Sequence, residues 1–305
     1  MARARTPWDV FLLVLFSAVS AWSVIVSIYE PAIVGSHAVV YTDAAAALMS
    51  GGNPWDVGPP MVRFSGPPTM LVPFIPFVIV PESVVRVVWV AGMAALAVWV
   101  VRRLRLPAYW TVFPPITDAV VLGHVEVGIL WLLVVGGPAS GLAALVKPYT
   151  AAALLAERRW TALLVAAVLF LATIPLLPWG SFLGQAHLIT GQLANQARGG
   201  VSVFGEPILV VVAVLCLGTL GPRRALWLSV PLLWPFAQFL YKVITVPQLS
   251  PVIAAFWAIP VPGFTLVGIV VDAAIRSVGR LRPLPRWLEV GVRPAAVYPP
   301  PESNS

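Results

Sequence analysis

Between residues 35 and 56 the chain reads GSHAVVYTDAAAALMSGGNPWD, and its acidic and imidazole side chains can exchange protons. The Ala-rich stretch Tyr41 to Ser50 predicts a short helix, closed by Gly51-Gly52 and the Asn53-Pro54 turn. Asp43 then falls in the first turn, where free N–H groups and the helix dipole favour an ionised carboxylate. Such a carboxylate accepts a proton, which makes Asp43 the first candidate for a general base. The alternative is that Asp43 only supports the helix N-terminus. His37 titrates near neutral pH and can substitute for it or act as its acid–base partner. Asp56 is either a second polar contact in this loop or a turn former after Asn53-Pro54-Trp55.

A base alone does little without groups that receive developing negative charge, and four cations are candidates for a phosphate: Lys147, Arg63, Arg198 and Lys242. Lys147 is the most informative, because a charged group inside an apolar run is costly and tends to face a cavity or a partner. Its alternative is a lysine that snorkels along its stem to the interface. Asp118, His124 and Glu126 form a second group around the turn at Gly123. They can hydrogen-bond one another or bind hydroxyls. A divalent metal is a weaker alternative for so few ligands, and no metal or cofactor is assigned. His187 sits in the Gln/Asn-rich segment GSFLGQAHLITGQLANQARGG, which is either a lid or an ordinary surface loop.

The elements that hold these residues must be built in lipid. The 305 residues are 59% apolar and 10% charged, with a mean hydropathy of +0.91, whereas soluble chains carry about 25% charged residues. With 12 acidic and 19 basic side chains there is too little charge to cover a water-facing exterior. The net charge of +7 does not point to nucleic acid, because the basic residues cluster between apolar runs as cytoplasmic loops do. A single cysteine, Cys216, excludes an intrachain disulfide and a cysteine metal site. The N-terminal run continues through Ile28, a bilayer-spanning length, and reads as a retained anchor in place of a cleaved signal.

Apolar runs at 8–28, 84–101, 107–122, 125–138, 160–178, 207–221, 225–246 and 252–275 predict an all-α, multi-pass transmembrane bundle of about eight spans. Residues 69–80, broken by Pro73 and Pro76, and 139–156, broken at Lys147-Pro148, predict two re-entrant or half-length helices. Placing both termini in the cytoplasm puts fourteen of the basic residues inside and five outside or within the membrane. The polar residues, with the 30–68 loop, then gather at the outer face of the plasma membrane. The expected organisation is a transmembrane domain over 1–275 and a basic, Pro-rich, disordered cytoplasmic tail over 276–305.

Five pieces occur in order between residues 35 and 160: Tyr41 with AAAALMSGGNPW, RFSGPP (Phe64, Pro67, Pro68), LGHVEVGILWLLV (Gly123, His124), GLAALVKPY (Lys147, Pro148) and ERRW. This succession resembles the polyprenyl-phosphate-sugar-dependent glycosyltransferases of the GT-C superfamily, specifically the DUF2029 (GT87, alpha-mannosyltransferase-like) family. The resemblance implies a GT-C-like fold and a hexosyltransferase that moves a mannose-like sugar from a polyprenyl-phosphate donor to a lipid or glycan acceptor, among membrane lipids. The attack would be inverting, with a carboxylate base. Phosphate would fall to Lys147, Arg63, Arg198 and Lys242, and acceptor or sugar hydroxyls to Tyr41, Asp56, Asp118, His124 and Glu126. Two positions depart from the pattern. His37 stands where the family has an acidic residue, which moves the expected carboxylate to Asp43, and His124 replaces the Gln of Gly-Gln. A non-catalytic GT-C relative acting as a binding, scaffold or lipid-handling protein is the second reading, and a transporter with broken helices is the third.

Overall fold

The computed structural model describes residues 6–59, 62–196 and 201–295, and all regular structure among them is helical. In chain order the first α-helices are α1 (Pro7–Tyr29), α2 (Ser36–Met49), α3 (Glu82–Arg103), α4 (Pro114–Val121), α5 (Glu126–Val135), α6 (Gly141–Val146), α7 (Ala151–Ala156) and α8 (Trp160–Thr173). They are followed by α9 (Trp179–Gly184), α10 (Ala186–Gln196), α11 (Pro207–Gly218), α12 (Pro222–Leu233), α13 (Pro251–Trp257), α14 (Phe264–Leu281) and α15 (Arg286–Val292). Helices α1 and α3 are long and apolar enough to cross a membrane, and a third span results if the bent pair α4 and α5 is counted as one.

Of the roughly eight continuous spans expected, these two or three are the ones found among the described residues. Helices α8 and α11 are apolar but have only 14 and 12 residues, short of the roughly 20 that a 30 Å hydrocarbon core requires. The run 225–246 divides into the end of α12 and a 3₁₀ helix over Phe239–Gln248, and 252–275 divides into α13 and α14. Proline explains part of this. Pro235 and Pro247 cannot donate to a helical ladder, and each disfavours helical geometry in the residue before it.

Contacts divide the chain into two units, each made of separated segments. The first comprises 1–25, 97–118 and 199–305. In it Phe16 of α1 packs on Trp110 and Phe113, with ring centroids 5.5 and 5.0 Å apart. Asp9 fixes the start of α1 by accepting from the Thr6 backbone amide at 2.7 Å and from the Tyr109 hydroxyl at 2.9 Å. Asp272 of α14 is fully enclosed and takes hydrogen bonds from Arg224, Arg276 and Ser250. A buried carboxylate persists only with such partners. The sequence expectation of a disordered tail from 276 is overturned for the described part. There α14 runs on to Leu281, and α15 buries Gly291 and Val292 while the Trp287 carbonyl accepts from the Trp8 indole at 2.8 Å. Residues 296–305 lie outside the described residues.

The second unit comprises 26–96 and 119–198. Its core joins α2 to the 3₁₀ helix over Pro68–Phe77, whose prolines 73 and 76 rule out a regular α-helix, through Tyr41 and Phe74 at 5.0 Å. Helix α6 approaches α8 backbone to backbone: a Cβ added to Gly141 would lie 2.3 Å from the Ala162 carbonyl oxygen. Only a glycine fits there.

Candidate active site

The site begins with the entry to α2, which starts at Ser36 and not at Tyr41. Gly35 adopts the left-handed conformation that a side chain would resist, and its amide donates to the Val121 carbonyl at 2.8 Å. The His37 amide donates to the Leu122 carbonyl at 3.0 Å. These first-turn donors have no partner inside their own helix, so the carbonyls that end α4 satisfy them. Gly123, with a φ of +70°, packs on Gly35 and carries the chain round to His124. The result is an edge-to-face contact of the His37 and His124 rings, with centroids 4.8 Å apart.

From His124 the chain enters α5, whose first residue is Glu126. This carboxylate is 0% exposed. One oxygen pairs with His124 Nδ1; the other accepts from the Tyr149 hydroxyl at 2.7 Å and faces Lys147 Nζ at 3.8 Å. Lys147 reaches it because Pro148 drives the residue before it out of the helical region, to φ −136° and ψ 98°. That break ends α6, and a 3₁₀ turn over Pro148–Thr150 brings Tyr149 to the same carboxylate. The fixed cluster is therefore His37, Tyr41, His124, Glu126, Lys147 and Tyr149, with Tyr41 6.0 Å from the His124 ring centroid. Burial, and then the neighbouring His124, push the His37 imidazole well below the usual histidine range.

Chemically, this is a buried carboxylate that orients an imidazole. With Glu126 on Nδ1, a neutral His124 carries its hydrogen there and leaves the Nε2 lone pair as an acceptor. The Lys147 charge compensates that of Glu126. Uptake of a proton by His124 would give the cluster a net positive charge.

Several expected site residues lie elsewhere. Asp43 is in the interior of α2 and not in its first turn, because the helix begins earlier than the Ala-rich run suggested. It is exposed, at a helical angle well away from His37 and Tyr41. Burial and then the charge of Glu82 raise its carboxyl, while Arg86 acts in the opposite sense. Asp56 is exposed and accepts from the Asn53 side chain at 2.6 Å, the arrangement of a turn former. Arg63 turns back on its own loop, its Nε donating to the Gly58 carbonyl at 3.3 Å.

Asp118 belongs to the first unit, where Ser23 hydrogen-bonds it. Lys242 also belongs to the first unit. It is 0% exposed, donates to the Trp257 carbonyl at 3.1 Å and lies over the Phe239 ring, out of reach of a phosphate in solution. Arg198 lies outside the described residues. His187 is exposed on α10, whose glutamines 192 and 196 hydrogen-bond the Trp55 and Arg63 carbonyls; α10 thus straps the 53–65 loop, with His187 directed away from it. Tyr149 was missed by the sequence reading; its signal was its place directly after the Lys-Pro break.

Among the described residues no three metal-ligating side chains converge. Comparison with family models, curated proteins and solved structures finds no match for this chain.

Proposed function

We propose that the protein is a membrane glycosyltransferase that takes a mannose-like sugar from a polyprenyl-phosphate donor and passes it to a lipid or glycan hydroxyl, at the outer face of the plasma membrane with both termini cytoplasmic. The observation that carries this reading is the His124–Glu126 pair, with Lys147 against the same carboxylate. In the proposed reaction His124 Nε2 accepts the hydroxyl proton, the hydroxyl oxygen attacks the anomeric carbon from the face opposite the phosphate, and the bond from that carbon to the phosphate oxygen breaks. Polyprenyl phosphate leaves with the electron pair, and the configuration inverts. Glu126 and Tyr149 position the base, and Lys147 supplies the nearby positive charge. The carboxylate base expected at Asp43 is replaced in this reading by an imidazole that a carboxylate holds.

A transfer assay with labelled polyprenyl-phosphate sugar on the purified chain tests the reading: turnover is expected in the native protein and not in His124→Gln. The second reading is a non-catalytic GT-C relative that binds lipid. It is favoured by the complete enclosure of Glu126 and the 3% exposure of His124. Donor lipid binding without transfer by the native protein would select it.

A further inference from the structure

Within the first unit, α1, α13, α14 and α15 enclose a cavity of about 370 Å³. Its wall includes Trp8, Phe11, Val252, Phe256, Ile275 and Trp287, and every lining residue is apolar or aromatic. It is partly open, and of its lining residues Phe11 and Trp287 are half exposed. The one polar atom of Trp8 is already used, since its indole N–H donates to the Trp287 carbonyl. Helix α1 is one of the two helices among the described residues long and apolar enough to cross a bilayer, and in that setting its Phe11 and Leu15 would face hydrocarbon.

One end of the cavity is chemically distinct. Val271 and Ile275 line it from α14, and Arg282 is the residue that ends that helix, in extended backbone. Arg286 opens α15 directly before the lining residues Trp287 and Leu288. Both arginines are exposed and enter no ion pair among the described residues. Indoles followed by guanidinium groups are the pattern of a membrane interface, with an apolar slot on one side and positive charge on the other.

We propose that this cavity binds an anionic phospholipid, with one acyl chain in the slot and the phosphate at Arg282 and Arg286. Chain length and shape select the slot, and the two guanidinium groups select the headgroup. The site is independent of the proposed transfer reaction, because none of its residues belongs to the His124 cluster.

The test uses the full chain in nanodiscs that hold, in turn, phosphatidylglycerol or phosphatidylcholine with a photoactivatable group in the acyl chain, and labelled peptides are mapped by mass spectrometry. Labelling of α13 and α14 is expected to exceed that of the exposed Val87 region of α3, with a preference for phosphatidylglycerol of about 30-fold, the order that two arginines bring near an anionic surface. Arg282→Gln with Arg286→Gln changes only exposed side chains and should remove the preference while leaving the chain in the slot. Ala255→Trp should fill the slot and remove its labelling, with the α3 label as the internal control for folding. Equal labelling by the two lipids, labelling no greater than at α3, or a preference that survives the double arginine variant would overturn the proposal.

Discussion

Gly123 lies so close to Gly35 that a Cβ on Gly123 would stand 3.0 Å from the Gly35 Cα. Both glycines have positive φ, and between them they set the entry of α2 against the turn before α5. This approach is what puts the rings of His37 and His124 in contact.

Gly123→Ala should therefore cost more than the strain of a left-handed residue alone. Gly51 is the internal reference: its φ is +77°, and a Cβ there meets nothing within 4 Å. Gly51→Ala is expected to cost about 1 kcal/mol and Gly123→Ala about 2–4 kcal/mol. Unfolding midpoints of the two variants in the same detergent decide this, and equal losses would show that the Gly35 contact can relax.

Glu126 should be the most sensitive side chain in the second unit. Glu126→Gln keeps the shape but deprives His124 and Lys147 of a buried negative partner, and breaking such a pair costs about 3–5 kcal/mol. Tyr149→Phe removes one hydrogen bond and should cost about 1–2 kcal/mol. Because both act on one carboxylate, the double variant should lose less than the sum of the single ones. Additive losses would mean that the two groups act separately.

A pH dependence follows from His37. Its imidazole titrates below the ordinary histidine range when folded, so the folded chain favours the neutral ring. At pH well above about 6.5 the ring is neutral in both states and contributes no pH dependence. As pH falls through that value the unfolded chain binds a proton that the folded one resists, and stability drops by up to about 1.4 kcal/mol per pH unit. His37→Gln should flatten this limb between pH 6.5 and 5. Parallel curves for variant and native protein would contradict the assignment.

How much of this was legible in the sequence differs by residue. Lys147-Pro148 announced a break with a charge at it, and Gly123 announced a turn beside His124 and Glu126; both are local signals and both mark real features. The register of α2 was not legible. The Ala-rich run begins at Tyr41, but the helix begins at Ser36 because the carbonyls of Val121 and Leu122, remote in sequence, satisfy its first amides. That earlier start moves Asp43 from a terminus to the helix interior. Lys242 misled for a related reason: only tertiary packing reveals that Trp257 and Phe239 enclose it. The segment after Arg276 looked disordered by its proline and arginine content, while burial of Gly291 and Val292 and the hydrogen bond from the Trp8 indole to the Trp287 carbonyl dock a short helix.

The central claim is that His124, held by Glu126, takes the proton that the Ala-rich run had assigned to Asp43. Labelled sugar transfer measured side by side in His124→Gln and Asp43→Asn, both checked for folding, tests it most directly. Loss of turnover in His124→Gln with near-native turnover in Asp43→Asn is the predicted result. Retained turnover in His124→Gln together with its loss in Asp43→Asn would return the base to the exposed carboxylate and contradict the account.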